Sequence, residues 1–305
     1  MSCFANYRIC PGLLAPRQDF TYRLCRLNLF IHGLDGDIRL GSSYDNDQHS
    51  DIKADFVLAN PPFNDGSKGE KGWGAQLIDP KDARLLIGGR RLGLSEKNAN
   101  YMWMMHFLYH LKEGGTAGFV MANGAMSTNA GEERGGREAL IESNLVDCIV
   151  QMPEKLFANT GIPCSLWFLS KNRQGNSTCR PRENEILFID ARKKALLIEG
   201  SRKQKELSEA EINDIADVYH HFRRRSGSPG NIEGYCKTAT LDEVRAAGYA
   251  LTPGRYVGTG ELANDGEPFD QKMKRLTQDL SSQLAESERL AREVRKQLST
   301  TGYTV

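Results

Sequence analysis

The segment ADFVLANPPFND holds the residues whose types and spacing could do chemistry: Asn60, Pro61, Pro62 and Phe63, placed directly after an apolar run through Phe56, Val57 and Leu58. Two consecutive prolines remove two backbone donors and fix φ, which leaves the Pro61 carbonyl as a rigid acceptor beside the Asn60 amide oxygen. The exocyclic amine of adenine or cytosine carries two N–H donors and a lone pair spread into the ring, so it is a poor nucleophile until both hydrogens are held. Two neighbouring acceptors could hold them. Phe63 adds a π face on which a base could stack, and a base processed at its amine must first leave the duplex. Taken alone, the four residues also read as a buried strand closed by a proline-stiffened turn.

Such a turn needs a strand to carry it and a sheet to hold that strand. The chain has 305 residues, 39% hydrophobic and 26% charged, the balance of a globular protein with a sizeable core. A helix pattern over residues 20–33 is followed by a short strand candidate, IRL at 38–40, and then by the strand before Asn60. NANYMWMMHFLYHLKEGG predicts a helix closing at Gly114, and TAGFVMA (116–122) a buried strand. GREALIESN predicts a helix, and LVDCIVQM, IPCSLWFLS and EILFIDA predict strands, the first two separated by room for one turn at most (153–160). This alternation predicts an α/β sheet, mostly parallel, in which ligands bind beyond the carboxyl ends of the strands, where Asn60 to Phe63 lie. From about Lys193 the pattern turns helical, with capping boxes at Ser208/Glu211 and Thr240/Glu243 and an apolar face of Ile212, Ile215, Tyr219 and Phe222. RRRSGSPGN reads as a linker, and 267–298 as one long terminal helix with a stripe of Met273, Leu276, Leu280, Leu284, Leu290, Val294 and Leu298.

Charge and cysteine content narrow the class. The 40 Lys+Arg against 39 Asp+Glu give a net charge of +1, so no global basic field announces nucleic acid. Seven scattered cysteines without a CxxC argue against a disulfide framework or a thiolate zinc site and suit a reducing, cytoplasmic setting. No stretch reads as a membrane span or signal peptide. His106 and His110 lie one helical turn apart and could ligate a metal, but without an HExxH arrangement and among Trp103, Phe107 and Leu111 they read as core histidines, and no metal is expected. Arg223, Arg224 and Arg225 suit either DNA phosphates or a helix C-terminus, with the second preferred. Asn123 follows another strand end and either lines the same cleft or starts a turn. The Gly- and Lys-rich stretch 65–97 reads as a mobile loop that could close over DNA.

The Asn60, Pro61, Pro62, Phe63 run resembles the signature of the amino-group DNA methyltransferases. With RLCRLNLFIHG, DNDQHSDIKADFVLANPPFN, NANYMW, TAGFVMANGAMSTN, LFANTGIPCSLWFL, LFIDAR and LTPGRYVG, the chain from about Phe20 onward is similar to the modification (methylation) subunit of type I restriction-modification systems. The resemblance implies a site-specific DNA adenine-N6 methyltransferase that uses S-adenosylmethionine, with Asn60 and Pro61 holding the amine, Pro62 completing the turn, Phe63 stacking on the flipped adenine, and Asn60 also bordering the cofactor. It implies DNA, a specificity subunit, a restriction subunit and a second modification subunit as partners.

The family places a helical domain, then a strand and glycine-rich cofactor loop, ahead of the region where this chain starts. No such loop precedes Asn60, APRQDF stands where a ribose-binding acid is expected, and Ser42 stands where an aspartate is often found. The expected fold is therefore a Rossmann-like methyltransferase sheet, incomplete at its N-terminal side, with a helical C-terminal extension. Its expected parts are a catalytic domain over 1–192, a helical extension over 193–262 and an assembly helix over 263–305. On this reading the chain is the C-terminal part of a split or truncated subunit, and the strand carrying Asn60 has an open edge. The alternatives are a non-catalytic assembly module or remnant, or a methyltransferase of RNA or protein amines.

Overall fold

The computed structural model describes residues 19–64, 66, 73–158, 160–199, 201, 204–224, 230–258 and 269–300. Helix α1 (Asp19–Ile31) forms where Phe20, Leu24, Leu27 and Ile31 recur at helical spacing, and all four are exposed. Gly33, at φ 66°, takes the left-handed turn that follows. The strand expected at 38–40 is absent. Those residues are instead held by side chains, with Arg39 bonded to Asp37 and Gln48 Nε2 donating to the Leu40 carbonyl at 2.8 Å.

Strand β1 (Ala54–Ala59) carries the 60–63 turn at its carboxyl end. The stretch after it was expected to be a mobile loop; residues 65 and 67–72 lie outside the described residues, but from Trp73 onward the chain is packed. Trp73, Ile78, Leu85, Ile87 and Leu92 are buried, and a small hairpin joins β2 (Leu86–Ile87) to β3 (Arg90–Arg91). These scattered apolar residues have neither helical nor strand period, so composition masked their burial.

Helix α2 (Asn100–Tyr109) stops before the expected Gly114 because its end is taken over by the sheet. Ala54 N–H donates to the His110 carbonyl at 2.7 Å and Leu111 pairs with Ala54, starting β4 (Leu111–Ala122). Gly114, at φ 82°, and Gly115, whose added Cβ would stand 3.0–3.1 Å from three carbonyl oxygens, form the irregularity within that strand. Then follow α3 (Gly131–Glu142), β5 (Val146–Gln151), β6 (Cys164–Ser170), β7 (Glu185–Asp190) and a second small hairpin of β8 (Leu196–Leu197) and β9 (Lys205–Glu206). Helix α4 (Glu209–Arg223) starts at the Ser208/Glu211 capping box. Strand β10 (Cys236–Thr240) leads into α5 (Leu241–Ala246) through the Thr240/Glu243 box. Both boxes are formed as expected. On α4, Ile215, Tyr219 and Phe222 are buried while Ile212 is exposed.

The six strands lie in the order β1-β4-β6-β5-β7-β10. β1, β4, β5 and β7 run one way, and β6 and β10 run against their neighbours. The region after Lys193 therefore supplies an edge strand as well as helices. β5 is buried throughout, as a strand covered on both faces must be. One face packs Phe119, Trp167, Met102 and Phe107 in a cluster fed by α2. The other packs Val150, Leu187 and Ile189 with Phe222 of α4. At the margin, β1 buries Val57 but leaves Phe56 55% and Leu58 83% exposed on its other face. The chain divides into two compact units after Gly260, and the second contains α6 (Phe269–Thr300). Its Met273, Leu276, Leu280, Leu284, Leu290 and Val294 form an exposed apolar stripe as expected; the side chain of Leu298 lies outside the described residues.

Under α2, His110 Nε2 lies 2.9 Å from Asp47 Oδ2 and Nδ1 lies 2.8 Å from the Ile52 carbonyl. Burial would raise the Asp47 carboxyl, but the His110 bond and the adjacent imidazoles bring it down to about 2. Burial pushes the His106 imidazole down to about 3, with the His110 charge acting the same way. His106 therefore stays neutral when folded while an unfolded imidazole takes up a proton below about pH 6.5. Its contribution to stability is whole above that pH and declines by up to ~1.4 kcal/mol per pH unit as pH falls toward the folded value. Melting temperatures between pH 7 and pH 4 should fall more steeply for the wild-type chain than for His106→Asn. Parallel profiles would contradict this.

Candidate active site

The carboxyl ends of the co-directional strands β1, β4 and β5 meet at one edge of the sheet, and each ends in a polar side chain: Asn60, Asn123 and Gln151. In the 60–63 turn Asn60 is exposed, Pro61 buried, Pro62 exposed and Phe63 half-buried. The prolines end the strand because neither can donate to a ladder. Phe63 packs against the apolar cluster on the α4 side of the sheet, and its ring meets that of Phe157 edge to face, centroids 5.8 Å apart at 73°. The asparagine side chain is thus open to a ligand while the aromatic one is seated.

Phe157 was not singled out from the sequence. It lies in the β5–β6 connection, which contains no helical turn among its described residues and is tied by an isolated Phe157–Thr160 bridge. The signal was an aromatic in a proline-bounded segment, LFANTGIP, legible only once that segment was known to face Phe63. Asn123 Oδ1 and Gln151 Oε1 are both buried without a hydrogen-bond partner, so each is an acceptor with capacity left at this end of the sheet.

The other sequence candidates lie elsewhere. His106, His110 and Asp47 stand close enough to hold an ion, yet Arg84 Nη1 lies 3.3 Å from His106 Nδ1 and supplies the positive charge there. Arg84 is itself fixed by Asp82 and by the Ser43 and Tyr44 carbonyls. The histidines serve a buried polar cluster. Arg223 lies over the Tyr219 ring at 5.5 Å and Arg224 bridges to Cys179, contacts that hold the end of α4; Arg225 lies outside the described residues. A cavity of about 940 Å³ opens at the opposite, amino end of the parallel strands, lined by Lys53, Lys112, Lys171 and Arg173. Two of its lysines are already matched, Lys112 by Asp55 and Lys171 by Glu113, and Lys53 donates to the Tyr109 carbonyl at 2.5 Å.

Before β1, no glycine-rich turn follows a strand among the described residues. Gly41, one of the glycines available there, is filled by the Gln48 side chain, which occupies the space its own Cβ would take.

The N-6 DNA methylase family model matches residues 16–265, most of the chain. The chain belongs to the N-6 DNA methylase family. Within that family it is 43% identical over 286 residues to the type I restriction enzyme MjaIX methylase subunit of Methanocaldococcus jannaschii, a match spanning 93% of this chain and 49% of the relative. It is 38% identical to the HindI methylase subunit of Haemophilus influenzae, over 93% of this chain and 60% of the relative. The crystal structure of a type I restriction-modification methyltransferase subunit from Streptococcus thermophilus superposes with a TM-score of 0.64 at 26% identity, covering 79% of this chain and 47% of that one. The chain thus spans roughly half the length of these relatives. Asn60, Pro61, Pro62 and Phe63 stand at the carboxyl end of a parallel strand, where such a sheet carries its ligands.

Proposed function

We propose that this chain is the base-binding and assembly portion of a type I DNA adenine-N6 methylase subunit. The observation that carries the reading is the exposed Asn60 on a proline-locked turn with the Phe63–Phe157 aromatic pair beside it. Asn60 Oδ1 and the Pro61 carbonyl accept the two amine hydrogens of a flipped adenine and leave its lone pair directed away from the ring plane. Phe63 supplies the stacking face, and Phe157 bounds the far side. Asn60 and Pro61 gain most from an amine whose nitrogen is turning tetrahedral, so the turn favours the transition state over the ground state.

The methyl donor implied by the family is S-adenosylmethionine. The described residues fit only its reacting end, at Asn60: no glycine turn approaches the methionine portion, and no carboxylate stands ready for the ribose hydroxyls. The rest of the cofactor site has to come from polypeptide outside the described residues. DNA, a specificity subunit and a restriction subunit are the partners, with a second modification subunit in the complete assembly, and the cytoplasm is the compartment where they meet. The part of 263–305 that forms α6 is the assembly helix, and residues 1–192 carry the catalytic turn.

A second reading, a non-catalytic assembly module, draws on the same missing cofactor contacts. The two separate in one experiment. The chain is co-expressed with a specificity subunit and with the part of the MjaIX methylase subunit outside the match, in a host lacking DNA methylation. Digested DNA should contain N6-methyladenine. Methylcytosine in its place would overturn the adenine assignment, and unmodified DNA from a complex that assembles would favour the module.

A further inference from the structure

We infer that Asn100 is a positioning residue that sets the 60–63 turn through Asn64, an inference that rests on the methyl-transfer reading for its kinetic test alone. Asn64, immediately after Phe63, has φ 50°, a left-handed conformation that asparagine tolerates better than most residues. Its backbone N–H donates to Asn100 Oδ1 at 3.1 Å, and Asn100 Nδ2 donates back to Asn64 Oδ1 at 2.9 Å. The turn before it contains two prolines and so has only the N–H groups of Asn60 and Phe63 with which to anchor itself. A reciprocal amide pair at its exit supplies what the prolines removed.

Asn100 is fit to act as the fixed end. It is 1% exposed at the first residue of α2, where a backbone N–H has no helical acceptor; that group donates instead to Asn98 Oδ1 at 3.1 Å. Asn98 Nδ2 donates to Glu133 Oε1 of α3 at 2.7 Å, and Glu133 is itself buried. The next residue, Tyr101, presses its ring on Gly136, where an added Cβ would meet it at 2.7 Å, and donates from its hydroxyl to the Ala125 carbonyl at 2.9 Å. A polar relay thus runs from the buried Glu133 through Asn98 and the buried Asn100 to the exposed Asn64, and ends beside the 60–63 turn. Displacement of a reacting group by about 1 Å costs on the order of 100-fold in rate.

Isosteric substitutions test the clasp without changing volume. In Asn64→Asp the carboxylate still accepts from Asn100 Nδ2 and the backbone bond is untouched, whereas Asn64→Asp with Asn100→Asp sets two carboxylates against each other. Two measurements are made: hydrogen exchange of the Phe63 and Asn64 amides in the full chain, and methyl transfer by the complete complex described above. The single variant should keep kcat within about threefold, and the double variant should lose ~100-fold in kcat with KM for DNA little changed. In the double variant both amides should exchange at least ~10-fold faster. Asn64→Gly, which keeps the left-handed turn and deletes only the exposed half of the pair, should speed exchange likewise, and it decides the matter if the double variant does not fold. Exchange unchanged in these variants, or a double variant as active as the single, would overturn the inference. A wild-type complex without methyl transfer would count against the proposed function, and the exchange rates would then decide on the clasp.

Discussion

Asn60→Ala is expected to lower methyl transfer by the assembled enzyme on the order of 10²–10³-fold while the chain melts as the wild type does. The side chain is exposed at the end of β1, so its removal opens no cavity. What is lost is one of two acceptors on the amine, an interaction that strengthens as the nitrogen becomes tetrahedral, so the loss falls on kcat more than on KM. Asn60→Asp separates this from a general effect of mutating the turn. Aspartate keeps acceptor oxygens at the same reach and should retain more activity than alanine. Single-turnover transfer to a duplex carrying the recognised site measures both. Unchanged adenine methylation by the alanine variant would remove Asn60 from the chemistry and return the 60–63 turn to a strand terminator.

The second large effect is on assembly. Deleting residues 268–305 is expected to weaken capture of the specificity subunit by at least ~100-fold, because α6 offers six exposed apolar side chains, from Met273 to Val294, along one stripe. Its 32 residues span about 48 Å, long enough for a paired-helix interface of several turns. The unit that ends at Gly260 carries its own two-faced core and should melt cooperatively without the helix. Co-purification of a tagged specificity subunit with full-length and shortened chains tests this. Equal recovery would assign the joining surface to another part of the molecule.

Where one local signal dictated the outcome, the sequence was readable. The Ser208 and Thr240 capping boxes, the apolar run Ile186 to Ile189 of β7, and the proline stop after Ala59 each stand where the residues require. Long-range pairing was the hidden part. The end of α2 is set by Ala54, far away in sequence, and Ile38 is buried without belonging to any strand. β10 reads CKTAT, too polar for a core strand, and is admitted to the sheet because it pairs at the margin with β7. Of the proposed site, the Asn60 signature could be read from the residues and the resemblance, but the contacts of Phe157 with Phe63 and of Asn100 with Asn64 could not, since each depends on a neighbour brought in by the fold.

Strand β1 also has a colloidal consequence. Among the described residues it lies at the margin of the sheet with Leu58 83% exposed, a combination that invites strand-on-strand stacking between molecules. Light scattering of concentrated solutions should therefore rise with time, and a lysine in place of Leu58, which points away from the buried Val57, should slow that rise without unfolding the sheet. The strand that leads into Asn60 is thus also expected to limit how concentrated a clear solution of this chain can be.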